Sequence, residues 1–542
     1  MKSSPSPLSS TSVFIVGGGP VGLAMALLMD RFALPFVVVE RSPKTTDHPK
    51  SRGCWPRTME LFRQWGIEEG IRARGLADGT DVFAYVESLT GREIGRTVPE
   101  PYLLNRTPSK KSLVAQDAVE EELFEVVRNS RYGQILFSTE CIGFEAGESE
   151  VIATTRNVLT GEEQRWRADY LIGTDGAGSS VRRQLGIEFK GPATLAVMAN
   201  DYWRADLSSV PVARQAAMFM VLPTKPGVPQ STILNTNGKD RWLTVTQIGQ
   251  TEDERDHPWS DQEVIEIVRA HVGIPDLDVE IINRSIWRVS RQVAQEFRRG
   301  RVFLVGDAAH RFPPTGGFGL NSGVQDAHNL AWKLSSVIKG QASDRLLDSY
   351  QAERRPVAES NADFSFMNRL RFQHVEDAIE SGNEDRIAFW ISDTENHLHS
   401  IGQSLGFSYE SDAIVPDGTV AKPLNSRIYE PTDRPGSRFP HMWLDAARKH
   451  STLDWFDRKF VLVAGPLGQA WDRAATVAAA AVGLEVDFRQ LPQAIFSDGF
   501  QMGMRGAALV RPDGHVCYRA AWTPEDPAAE LIAALRQVLA KD

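Results

Sequence analysis

Three nearly unbroken apolar runs, each closing on glycine, stand far apart in the chain: VFIVGGG from Val13, DYLIGTDG from Asp169 and RVFLVGD from Arg301. Apolar runs of strand length bounded by glycine turns predict strands buried on both faces. AMALLMD follows the first run, so Val13 to Leu23 predicts a strand, a tight turn and a helix. Val302 to Val305 predicts another buried strand, turning into a helix at Gly306-Asp307. Ser322 to Ile338 carries Val324, Ala327, Leu330, Ala331, Leu334 and Ile338 at helical spacing, with Gly340 as its stop. From about 186 to 285 the pattern changes to short β runs, MFMVLP, STILNT and RWLTVTQIG, with one helical interval, SDQEVIEIVRAHVG. A strand-like excursion near 80 to 105, DVFAYVES then GREIGRTV, interrupts the first region. A helical stretch follows at about 341 to 400, and then a separate α/β unit. In that unit FVLVAG is a strand, AWDRAATVAAAA a helix and VDFRQL a strand. Two more strands meet at an Asp513-Gly514 turn, and a terminal helix carries Leu531, Ile532, Leu535 and Leu539 on one side.

The first turn reads Gly17-x-Gly19-x-x-Gly22, with Pro20 at the helix start. Such glycines let the backbone turn sharply, approach a pyrophosphate and pack helix on strand, while the helix amides face the phosphates. Glu40 and Arg41 close the second apolar run, PFVVVE, eighteen residues beyond Gly22, where an acid can hold a ribose hydroxyl. NAD, NADP and FAD all fit this segment, and so does a glycine turn in another kind of α/β protein.

The later segments narrow the choice. Asp307 reads either as a helix cap or as an acceptor for a polyhydroxylated chain. The stretch GDAAHRFPPTGGFGLNSGVQDAHNLAWKL closely resembles the FAD-dependent aromatic hydroxylases, the para-hydroxybenzoate hydroxylase and phenol hydroxylase group. The resemblance is strong over about residues 12 to 360 and weaker beyond. It implies that Gly306 and Asp307 meet the flavin ribityl chain. It also implies that the middle motif, Gly173-Thr174-Asp175-Gly176 with Arg182 downstream, touches FAD and the reduced nicotinamide; alone, TDGAGSS is a turn. SRGCWPRTMELFRQWG and LVAQDAVEEEL also resemble the family, which implies that Arg52 meets the FAD phosphates or the flavin edge and that Gln116 hydrogen-bonds FAD; without the resemblance Gln116 is an exposed residue starting a helix. The loop Pro313 to Asn321, including Pro314, Gly316, Gly319 and Leu320, feeds a helix whose amides suit the negative charge of a reduced flavin. The resemblance puts the Pro314 carbonyl near the substrate, whereas the bare reading is a rigid Pro-Gly loop.

Length and composition fit several domains. The chain has 542 residues, 42% hydrophobic and 24% charged, with a net charge of −10 and pI near 5.7. One core rarely supports that length, and an acidic balance disfavours nucleic acid as a partner. Cys54, Cys141 and Cys517 form no CxxC, so neither disulfides nor a thiolate metal site is expected, and the natural compartment is the reducing cytoplasm. No HExxH or similar metal spacing occurs, and no apolar run approaches the ~20 residues needed to cross a bilayer. The polar start, rich in Ser and Pro, reads as a disordered tail.

The fold expected is therefore α/β: a tail at 1–11, a Rossmann-like FAD-binding domain at 12–185 and 286–345, a mixed β-sheet substrate domain at 186–285, a helical connection at 346–404, and an α/β domain at 405–542. That last domain resembles the thioredoxin-like C-terminal domain of the phenol hydroxylase branch; lacking CxxC, it is expected to serve packing or dimer contact. The activity implied is a monooxygenase that uses NADPH or NADH and O2 to hydroxylate a phenolic or polyketide-type ring through a flavin C4a-hydroperoxide. A second stable dinucleotide motif is not evident, which favours a transiently bound reductant. An FAD-dependent dehydrogenase or reductase without oxygen insertion, and a redox-silent flavoprotein, remain alternatives. His310 is not read as a base, because it falls one turn into a predicted helix. Tyr202, Trp203, Arg204 and Trp242 read either as pocket lining or as sheet core.

Overall fold

The computed structural model describes residues 8–101, 103–251, 256–496 and 500–541. The three apolar runs become neighbouring parallel strands. Leu8–Val16 pairs with Phe36–Val39 on one side and Glu163–Gly173 on the other, and Val302–Leu304 extends the sheet beyond Glu163–Gly173. Phe36 to Val39 are all buried, as expected for a strand covered on both faces. Helices Pro20–Arg31 and Phe318–Ile338 pack against each other over this sheet, merging the apolar stripe read from sequence into one core.

The second sheet has seven strands in the order Glu280–Val289, Ala196–Arg204, Arg241–Gly249, Ser231–Asn235, Met218–Val221, Phe83–Val86, Glu93–Arg96. One face packs on helix Asp261–Val272, which Ser260 and Glu263 cap reciprocally and Gly273 ends. Trp203 and Trp242 belong to that packed face, where their indole nitrogens donate to Thr244 Oγ1 and the Ala205 carbonyl. They are core, and the opposite face is the one left open.

Helix Asp348–Glu380, 33 residues and hence about 50 Å long, bridges the two sheets. Near its start the Tyr350 hydroxyl donates to the Leu304 carbonyl; near its end Phe372 and Val375 pack against Phe83 and Tyr85. The last sheet, ordered Val486–Gln490, Phe460–Ala464, Ala507–Val510, Val516–Ala520, is flanked by helices Ala470–Val482 and Pro527–Val538. Strand alternation covers it on both sides: Phe460, Leu462 and Ala464 join the main core, while Val461 and Val463 face Phe439, Leu453 and Phe456. No helix among the described residues is long and apolar enough to cross a membrane.

Several sequence expectations need correction. The first strand begins at Leu8, inside the expected 1–11 tail, because Leu8 to Thr11 pair with Arg165 to Ala168; residues 1–7 lie outside the described residues. The excursion near 80 to 105 belongs to the second sheet, with Phe83–Val86 parallel to Met218–Val221, and strand Glu280–Val289 runs across the expected boundary at 285. Gly306-Asp307 opens only a short 3-10 turn, after which His310 and Arg311 pair with Val293 and Gln292. No side chain caps that turn, so nothing propagates it into an α-helix.

Candidate active site

A cavity of about 2220 Å³ lies between the first sheet and the open face of the second. The first glycine turn forms one end. Gly17 has φ +107°, and a Cβ on Gly22 would fall 1.9 Å from the Gly17 carbonyl oxygen, so both positions require glycine for close approach. A Cβ on Gly19 would meet nothing within 4 Å, leaving that side of the turn open to a ligand. The Glu40 carboxylate accepts from the amides of Gly18 and Ser42, both at 2.8 Å, and keeps lone pairs for a further donor.

Two helices start at this cavity, Pro20–Arg31 and Phe318–Ile338, and both have glycine N-caps with no side-chain capping bond. Asp261–Val272 and Pro527–Val538, by contrast, are capped by the side chains of Ser260 and Asp526. The exposed amides at the two cavity ends therefore suit an anionic or electron-rich ligand.

Asp307 lies deep in the protein yet exposes its carboxylate to the cavity, with no protein hydrogen-bond partner among the described residues. Burial raises its pKa, against the pull of His310, Arg311 and Lys50. A carboxylate held this way fits a chain of hydroxyl groups. Asp175 Oδ2 accepts from the amides of Ser180 and Val181 at 2.7 and 3.1 Å, and Oδ1 has no partner among the described residues; Gly176 beside it takes φ +72°. Gln116 donates to Glu120 at 2.8 Å from the cavity wall, which Arg41 and Pro20 also line.

Other expected residues sit differently. Arg52 points away from the glycine turn and donates to the backbone carbonyls of Ala217 and Asn235 in the second sheet. Burial without a facing carboxylate lowers its pKa to about 10, so it stays charged at neutral pH. The Pro314 carbonyl is turned into its own loop, where it accepts from the amides of Gly316 and Gly317. Gly316, Gly306, Gly22 and Asn321 shape the loops behind the cavity wall: the Gly316 carbonyl receives the Trp55 indole at 2.8 Å, and the buried Asn321 bridges Trp55, Gly53 and Gly317. Gly319 and Leu320 reach the cavity itself. Arg182 stacks on Phe189, 4.3 Å from its ring centre, and Arg183 takes the place at the cavity. His310 is fully buried and bonded to Asp326 at 2.6 Å, which Arg354 holds in turn, a structural linkage without access to a substrate.

Sequence reasoning passed over most of the far wall. Strand register aligns cavity-facing side chains of the second sheet in rows: Met218, Leu234 and Leu243 nearest Arg52; then Met220, Thr232, Val245, Asn200 and Ser285; then Gln247, Met198 and Trp287. Arg369, Phe372, Gln373 and Glu376, at helical spacing on Asp348–Glu380, close the chamber. Their i, i+4, i+7 polar stripe was the available signal.

Removing the Asp307 carboxylate is expected to weaken FAD binding by about 10- to 100-fold, the worth of charge-assisted hydrogen bonds. Because Asp307 has no hydrogen-bond partner to lose among the described residues, the melting temperature of cofactor-free Asp307→Ala should match the parent. Titration with FAD by fluorescence quenching checks this, and unchanged affinity would remove Asp307 from the ribityl site.

Comparison with known proteins bears on the whole chain. A family model described as FAD binding domain matches residues 10–365, and one described as aromatic-ring hydroxylase, C-terminal, matches 432–541. The tetracenomycin A2 monooxygenase-dioxygenase of Streptomyces glaucescens is 35% identical over 98% of this chain and 97% of its own. The 4-methyl-5-nitrocatechol 5-monooxygenase of a Burkholderia species is 34% identical over the same shares. The crystal structure of the flavin-dependent monooxygenase PieE in complex with FAD and substrate superposes with a TM-score of 0.90 at 32% identity, covering 99% of this chain and 100% of that one.

Proposed function

The chain belongs to the FAD-dependent aromatic-ring hydroxylases, and on that premise we propose that its substrate is a phenol of several fused rings, of polyketide type. It is an FAD-dependent monooxygenase that takes electrons from NADPH or NADH and one oxygen atom from O2. The observation that carries the substrate reading is the cavity volume of about 2220 Å³. A single small-molecule pocket spans ~300–1,000 Å³, so the space left beside a dinucleotide exceeds what one benzene ring fills. The row nearest Arg52, Met218, Leu234 and Leu243, offers an apolar ceiling for a flat ring system.

Bound FAD supplies the activation of oxygen; the chain supplies position, charge and dryness. The Gly17 to Gly22 turn and the Pro20 helix start would hold the pyrophosphate, Glu40 a ribose hydroxyl and Asp307 the ribityl chain. The amides at Phe318, Gly319 and Leu320 would offer partial positive charge to a reduced isoalloxazine seated at this helix start. Arg52, fixed between the cofactor end and the second sheet, favours the phenolate form of a substrate hydroxyl and so raises the electron density of the ring. The three free cysteines fit a cytoplasmic setting, where the reductant is supplied.

A ring-size series tests the reading. Product formation coupled to NADPH or NADH oxidation is expected with three- and four-ring phenols, and monocyclic phenols should give mainly uncoupled peroxide. Efficient hydroxylation of simple phenols, with fused-ring phenols inert, would refute it.

A further inference from the structure

Asn200 carries a determinant that the cofactor site does not explain. Its side chain faces the chamber from the middle row, 6% exposed, and its Oδ1 accepts from the Trp287 indole nitrogen at 2.7 Å. An indole N–H only donates, so the atom facing it must be the amide oxygen, which removes the usual ambiguity of an asparagine flip. The NH2 group is thereby directed away from Trp287, and no protein acceptor meets it among the described residues. In the open chamber water can meet this donor, but a bound ring system that displaces the water leaves it unmatched, at a cost in free energy, unless the ring itself accepts from it. No neighbour on the face bonds the amide among the described residues: Val245 lies across one strand and Met198 along the same one, and although Ser285, across the other strand, and Thr232 carry hydroxyl oxygens, neither accepts from the Asn200 amide.

We propose that Asn200, locked by Trp287, is the substrate-recognition donor of the chamber, selecting aromatic substrates that bear an acceptor oxygen, a ring carbonyl or phenolate, at that point. This rests on the fused-ring reading above. The specificity is one-sided: a substrate oxygen satisfies the amide, while a C–H at the same place leaves it buried and unpaired, a penalty sufficient for about tenfold discrimination or more.

Two probes share a three-ring frame and one hydroxyl: 2-hydroxyanthraquinone, with carbonyls, and 2-hydroxyanthracene, without. Dissociation constants for the FAD-loaded enzyme are read from the perturbed flavin absorbance. The parent should bind the quinone about tenfold tighter or better. Asn200→Asp keeps an acceptor for Trp287 but presents oxygen in place of NH2, and should lose the preference while binding the anthracene nearly as before; Trp287→Phe, which frees the amide to flip, should keep only part of it. A parent with no preference, or an Asn200→Asp variant that retains it, overturns the proposal. If neither three-ring probe binds, the fused-ring reading fails separately, and 4-hydroxyacetophenone against 4-ethylphenol puts the same question to Asn200. A carbonyl preference that Asn200→Asp abolishes would sustain the proposal there, and one it leaves intact would overturn it.

Discussion

Gly22→Ala should abolish FAD retention and lower the melting temperature of the cofactor-free chain. The added Cβ would stand 1.9 Å from the Gly17 carbonyl oxygen and 2.9 Å from Thr174 Oγ1, so the turn must open or the helix start must shift. Thr174 is itself tied to this turn, its hydroxyl donating to the carbonyls of Val16 and Gly17 at 3.0 and 2.8 Å, which leaves little room to yield. Overpacking of a tight site costs about 1–3 kcal/mol, and here it acts on the segment whose amides face the pyrophosphate. Gly19→Ala is the informative partner. Its Cβ meets nothing in the cofactor-free protein, so the melting temperature should be unchanged while FAD binding weakens. Equal FAD affinity in Gly22→Ala and the parent would mean that the turn does not hold the cofactor.

The second large effect is expected where the C-terminal unit docks. Arg511, 0% exposed, donates to both oxygens of Glu353, at 2.6 and 2.9 Å, and to Asp513, while Lys333 reaches Glu353 at 2.8 Å. Glu353 lies on the bridging helix and Lys333 on the helix behind the flavin loop, so this buried cluster ties three parts of the fold together. Arg511→Ala would leave Asp513 without its guanidinium partner and Glu353 with Lys333 as its one cation, at a cost of about 3–5 kcal/mol. Denaturant unfolding should show that loss. Acid should reveal the same cluster. Burial opposes the charge on Glu353, but Arg511 and Lys333 outweigh it and hold its pKa below the ordinary 4.5. A carboxylate depressed in the folded state stabilises fully above its unfolded pKa and loses that contribution as pH falls from 4.5 toward the folded value. Glu353→Gln should therefore narrow the stability gap to the parent as the pH drops through that window. A variant equally destabilised at pH 7 and pH 3 would contradict the ionic account.

The parallel strands and the glycine turn were legible because their chemistry is local: a close backbone approach demands glycine, and a doubly covered strand demands an unbroken apolar run. The helix behind the flavin loop was legible the same way, from apolar residues at helical spacing over Ser322 to Ile338. What stayed hidden depends on partners distant in sequence. Alternation marked MFMVLP as a strand but could not say that Met218–Val221 lies beside Phe83–Val86. Nor could it say which face of Ala196–Arg204 is open, so Trp203 and Asn200, on opposite faces, were indistinguishable until the register was known. Arg52 and Pro314 show a further limit. A motif fixes the residue, whereas the direction of a guanidinium or a carbonyl follows from the hydrogen bonds it finds, here the carbonyls of Ala217 and Asn235 and the amides of Gly316 and Gly317.

Oxygen-isotope tracing tests the central claim most directly. The FAD-loaded enzyme is supplied with NADPH or NADH, a fused-ring phenol and 18O2, and the product is identified by mass. The account predicts one labelled oxygen atom in the ring product for each reductant consumed in coupled turnover. Reductant oxidation that labels only peroxide across the ring-size series, or a product whose new oxygen comes from water, would contradict it.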